Sequence, residues 1–233
     1  PLLENSKKYK RLAGFFSSSS LAVASFGIKG LLRNEGTMQL VCGHQLSLKD
    51  KEAMEQGLEA TDLSENFLKE LNELDENNFH KNHAKILGWM IKNKKLEIKI
   101  ADVVDEPGIF HMKVGIFEDN DKNLVAFSGS VNETANAWIH STEQFDAYKG
   151  EKDTDRIESK SKLFDKYWED RAVQTKVYDL PVAIKNELIK ISPTNFEDVD
   201  IDYPKKSDGR ELVLYDHQVE AIQRWKENNH QGI

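Results

Sequence analysis

Strand-length apolar runs alternate with stretches of helical period along most of this chain, and that alternation constrains its fold more than any other feature. Residues 11–16 and 38–42 are short apolar runs, each followed by a segment with apolar residues three and four apart. The first of these segments, 21–32, follows a serine run (Ser17 to Ser20) that supplies cap oxygens; the second, 47–58, starts at a capping Ser47. Helical spacing returns over 63–74 and 84–91, with the polar stretch 75–82 between them read as a loop, and 96–104 alternates as a strand. Residues 110–117 and 124–127 are β-type runs joined by Glu118-Asp119-Asn120-Asp121-Lys122-Asn123, whose Asn and Asp residues favour turns. They are expected to form an antiparallel hairpin. A strand at 144–148, a long amphipathic helix over 153–171 and a smaller helix over 181–191 complete the pattern. Strands alternating with helices predict an α/β sandwich with a mixed central sheet.

Residues 1–191 are therefore expected to form one domain. From 192 to 210 the composition shifts to Pro193, Pro204, Gly209 and five acidic residues, Glu197, Asp198, Asp200, Asp202 and Asp208, which reads as an acidic linker. Helical period recovers through Leu214, Val219, Ile222 and Trp225, so 211–233 is expected to start a further unit. The chain opens on Pro1 and stops directly after that pattern, as a piece of a longer protein would.

Composition narrows the function classes. With 32 Lys and Arg against 40 Asp and Glu the net charge is -8, which excludes a bulk basic nucleic-acid coat and confines any phosphate chemistry to a local site. The one cysteine, Cys42, has no internal partner, which fits a reducing compartment, and a cytoplasmic location is expected. No apolar run approaches the roughly 20 residues a membrane helix needs.

The stretch richest in chemistry is His111-Met112-Lys113, followed by Gly129-Ser130-Val131-Asn132 and then Glu143. Side chains two apart on a strand share a face, so His111 pairs with Lys113, and Ser130 with Asn132. A hairpin that joins the two runs brings an imidazole, an ammonium, a hydroxyl and an amide to one spot, with Gly129 permitting close backbone approach. Such a set suits a phosphate: Lys113 offers a point charge, Ser130 and Asn132 neutral donors, and His111 a nucleophile or proton carrier near neutral pH. A carboxylate at Glu143 would hold the imidazole in its reactive tautomer. Taken singly, a His-x-Lys pair occurs by chance and Gly-Ser-x-Asn is usually a turn; their order and proximity give them weight.

The residues His111, Lys113, Glu118, Gly129, Ser130 and Asn132 resemble the signature of the phospholipase D-like superfamily, and Glu143, thirteen residues after Ser130, falls where nucleases of that superfamily carry an orienting glutamate. Two departures stand out: Glu118, beside Asp119, occupies the acid position, and the stretch from there to Gly129 is longer than usual. That acid is structural in the family, so its replacement removes no reacting group. Leu12-Ala13-Gly14-Phe15-Phe16 and Phe164-Asp165-Lys166-Tyr167-Trp168 resemble the branch fused to helicases, and the likeness spans about 9–171. It implies a phospholipase D-like α/β/α sandwich that cleaves phosphodiesters without a metal. His111 would form a phosphohistidine, a second histidine would protonate the leaving oxygen, and Lys113, Ser130 and Asn132 would stabilise the nonbridging oxygens. The family needs two motifs and this chain has one, so the resemblance implies a homodimer joined through the active-site face.

A second resemblance lies at the end. Leu214-Tyr215-Asp216-His217-Gln218-Val219-Glu220-Ala221-Ile222 with Gly232-Ile233 is similar to the entry of a superfamily-two helicase or restriction translocase, where the residue at Gln218 reads adenine. No Gly-x-x-x-x-Gly-Lys-Ser/Thr loop is present, so ATP would belong to a helicase part outside this sequence and no cofactor is expected within it. Together these imply a DNA nuclease domain of a helicase or restriction-type protein, with DNA as partner and no membrane. The alternative is a non-catalytic module that binds DNA or a partner protein and positions the helicase. His80 and His83 stand three apart without a completing ligand, and His44 stands alone; each reads as structural or surface.

Overall fold

In the computed structural model, which describes residues 2–14, 27–73, 79–104, 108–129 and 145–199, the alternation becomes one mixed sheet. All of these residues fall in the first of two units into which the chain divides, residues 1–201. The strands are β1 (Ser6–Ala13), β2 (Thr37–Gly43), β3 (Leu96–Val103), β4 (Val114–Asp119), β5 (Leu124–Gly129), β6 (Phe145–Lys149) and β7 (Thr175–Asp179). Their spatial order is β6-β5-β4-β1-β2-β3-β7. Strands β1, β2 and β3 run parallel, and every other pairing is antiparallel.

The described helices are α1 (Leu2–Asn5), α2 (Ile28–Arg33), α3 (Leu48–Glu55), α4 (Thr61–Asn72), α5 (Phe79–Lys92), α6 (Thr154–Trp168) and α7 (Val182–Lys190). Strand alternation sends Tyr9, Met38, Leu40, Cys42, Ile98, Ile100 and Phe117 to one face of the sheet, where α2, α4, α5 and α7 cover them with Leu31, Phe67, Leu87 and Leu188. Leu12, Val41, Ala101, Val114, Ile116 and Ala126 point the other way, under Ile157 and Phe164 of α6. The α/β sandwich with a mixed central sheet is thus present, with α2, α4, α5 and α7 on one side and α6 on the other among the described residues.

Several boundaries differ from the sequence reading. The loop expected over 75–82 ends early, because α5 starts at Phe79. Strand β7 had no counterpart in the sequence reading; it forms because β3 offers a free edge, pairing Val103 with Thr175 and Lys99 with Asp179. The linker expected over 192–210 is packed at its start. There Phe196 meets the Trp89 ring edge-on at 4.8 Å, Glu197 accepts from the Arg33 guanidinium at 2.6 Å and Val199 is buried. The cap expected from Ser17 to Ser20 and the unit expected over 211–233, with Gln218, lie outside the described residues. No described helix is long and apolar enough to cross a membrane.

Candidate active site

The hairpin predicted from 110–127 forms, and its register positions the chemistry. Strand β4 pairs with β5 from Val114 opposite Ser128 to Glu118 opposite Leu124. One residue earlier the Lys113 carbonyl accepts the Gly129 N–H at 3.2 Å, so the end of the His-x-Lys run and the start of the Gly-Ser run are hydrogen-bonded neighbours. Because β4 is antiparallel to β1, its beginning lies at the end of the sheet where β1, β2 and β3 finish. The carboxyl ends of parallel strands are the usual place for a ligand in an open α/β sheet.

His111 and Lys113 do not lie on the strand itself, which is a correction to the sequence reading: β4 begins at Val114. Alternation nevertheless persists, since Phe110 and Met112 pack into the cluster under α6 and His111 and Lys113 turn away from it. Their exposures differ. His111 is exposed, whereas Lys113 is only 3% exposed and its Nζ donates to the His111 carbonyl at 3.4 Å. Burial makes the lysine's charge strong, because a low-dielectric surrounding screens it little. One row deeper on the same sheet face Arg11 is 1% exposed, its guanidinium 4.9 Å from the centre of the Phe127 ring. Gly115 makes room for that ring, since a Cβ there would stand 2.0 Å from Phe127 Cε1.

The acids at the signature's third position are far from this end. Five residues of extended chain, about 17 Å, separate Glu118 from Lys113. Glu118 pairs with Lys8 at 2.9 Å, and Asp119 accepts the N–H groups of Asp121 and Asn123, each at 2.9 Å. The Asn123 side-chain amide, followed by these backbone N–H groups, holds the Asp119 carboxyl below its ordinary range. Both acids are structural: one ties β4 to β1, the other builds the hairpin turn.

Ser130, Asn132 and Glu143 lie outside the described residues. Of the proposed set, the described part is His111, Lys113 and the Gly129 backbone. Sequence reasoning did not single out two residues that shape this end of the sheet. Asp102, 2% exposed at the end of β3, accepts the Leu46 N–H at 3.0 Å and the Lys51 ammonium at 3.0 Å, so it fixes the loop that follows β2. Arg11 is the other. Neither carried a distinguishing local signal, since β1 also holds Lys7, Lys8 and Lys10 and β3 also holds Glu97 and Lys99; burial alone sets Arg11 and Asp102 apart.

No protein-family model and no curated protein matches the chain. Solved structures similar to it include NucT from Helicobacter pylori, at 14% identity and a TM-score of 0.43 over 76% of this chain and 86% of that one. Phosphatidylserine synthase of Haemophilus influenzae Rd KW20 aligns at 13% identity with a TM-score of 0.40, over 97% of this chain and 41% of its own.

Proposed function

We propose that this chain is a phosphodiesterase of the phospholipase D-like kind, acting on DNA as the nuclease part of a helicase or restriction-type protein. The observation that supports the reading is the hydrogen bond from the Gly129 N–H to the Lys113 carbonyl, which sets Gly129 beside a buried lysine, two residues from the exposed His111, at the end of the sheet where the parallel strands finish.

In this mechanism an unprotonated ring nitrogen of His111 attacks phosphorus. An N–P bond forms, the P–O bond to the leaving group breaks, and a second imidazole gives its proton to the leaving oxygen. Water then loses a proton to that imidazole as its oxygen attacks phosphorus, and the N–P bond breaks to free His111. Lys113, with Ser130 and Asn132, stabilises the nonbridging oxygens, and Glu143 orients the imidazole. The chain carries a single His-x-Lys that is followed by Gly-Ser-x-Asn, so a twofold contact through the active-site face would supply the second imidazole from another copy. ATP would serve a helicase part through Gln218.

The test is cleavage of plasmid and single-stranded DNA in EDTA by the wild type and by His111→Ala, beside a sedimentation run for mass. Cleavage by a wild-type dimer that the substitution abolishes is the expected result. Salt-sensitive DNA binding without turnover would favour the non-catalytic module instead.

A further inference from the structure

His44 follows β2 directly, at the same end of the sheet as His111, and the reaction above gives it no part. Register sets the two histidines in corresponding places. Leu12 pairs with Val114 on one side and Val41 on the other, so Ala13 carries the row of Lys113 across to Cys42. His111 stands two residues beyond Lys113 toward the open end of the sheet, and His44 stands two residues beyond Cys42 toward the same end.

The residues just before the two histidines touch. A Cβ on Gly43 would lie 2.6 Å from Phe110 Cβ and 2.8 Å from the Gly14 carbonyl oxygen, so the Phe110 side chain and the Gly14 backbone both press on the Gly43 backbone there. With about 3.8 Å between consecutive Cα atoms, this contact keeps the Cα atoms of His44 and His111 within roughly 13 Å. Two imidazoles with a phosphate between them fill that span.

The loop that carries His44 is also held. Its own N–H donates to the Ala101 carbonyl at 2.9 Å, and two residues on the Leu46 N–H donates to the buried Asp102 carboxylate at 3.0 Å. The Nδ1 atom of His44 is buried while the residue as a whole is half-buried, which fixes the inward edge of the ring.

We propose that His44 donates an imidazole N–H to the phosphate held by His111 and Lys113 of the same chain. This rests on the phosphodiesterase reading and adds to it. Each copy then brings two imidazoles to its phosphate before a second copy contributes any. No covalent step falls to His44; it binds a nonbridging oxygen of a nucleic-acid phosphodiester.

The test uses the whole chain and inorganic phosphate as the probe. Titration followed by the ring C–H resonances of the histidines, assigned with His44→Gln and His111→Ala, should shift both His44 and His111 saturably. In parallel, His44→Ala should lower kcat/KM for DNA by on the order of 10²-fold, the usual effect of losing one such donor, and His44→Gln, which keeps an N–H, should recover part of it. A His44 resonance that phosphate leaves unmoved overturns the proposal, as does a His44→Ala protein that cleaves like the wild type. Shifts of both imidazoles in a protein without nuclease activity would uphold the phosphate contact and remove the nuclease reading, so the two failures are distinct.

Discussion

The Lys113 carbonyl accepts the Gly129 N–H at 3.2 Å, so Gly129 lies beside the end of the His-x-Lys run although a long hairpin separates them in sequence. Lys113 is 3% exposed, so under the proposed function its ammonium would meet a bound phosphate with little screening. Lys113→Met, which keeps the length and loses the charge, should fold as the wild type and lose about 10²- to 10³-fold in kcat, the range seen when one stabilising donor is removed. A cleavage assay beside a melting curve checks both halves of this expectation.

Asp102 clamps the loop after β2 through Leu46 and pairs with Lys51, both at 3.0 Å, at 3% side-chain exposure. Removing one partner of a buried pair leaves an uncompensated charge, which destabilises by about 3 kcal/mol or more. Asp102→Ala should show that loss in urea denaturation, and Asp102→Asn a smaller one, because the amide oxygen still accepts the Leu46 N–H.

Burial, with Glu55, Asp102 and Asp170 nearby, pushes the Tyr178 hydroxyl up to about 12. The folded state therefore favours the neutral phenol. Its contribution is complete below the unfolded value of roughly 10 and is lost as pH rises through the folded value. Stability against urea should fall between about pH 10 and pH 12, and Tyr178→Phe should flatten that part of the profile.

Helix α5 ends in a Schellman arrangement, with Lys95 N–H on the Met90 carbonyl at 2.7 Å and Lys94 N–H on that of Ile91 at 3.1 Å. The residue in the left-handed position is Lys94, with φ 56°, where glycine carries no Cβ penalty. Lys94→Gly should raise stability by about 1 kcal/mol, read as a higher urea midpoint at unchanged slope.

The fold class was legible because two periods alternate along the chain, and the 118–123 turn because Asn and Asp crowd it. Strand β7 was not, since Thr175-Lys176-Val177-Tyr178-Asp179 owes its form to the edge of β3, more than 70 residues away. The packed start of the acidic segment was hidden for a similar reason: Glu197 looked solvated in sequence, and only the fold supplies Arg33. In the site, the meeting of Lys113 and Gly129 followed from the hairpin, whereas His44 was read as solitary. No local pattern links it to His111; the order of β4, β1 and β2 does.

The central claim is that His111 attacks a DNA phosphate. Rapid acid-free quenching of wild-type protein with end-labelled DNA in EDTA, followed by mapping of the labelled peptide, tests it most directly. The account predicts an acid-labile phosphoramidate on His111 that is absent from His111→Ala. Cleavage that proceeds in the His111→Ala protein at the wild-type rate would contradict it.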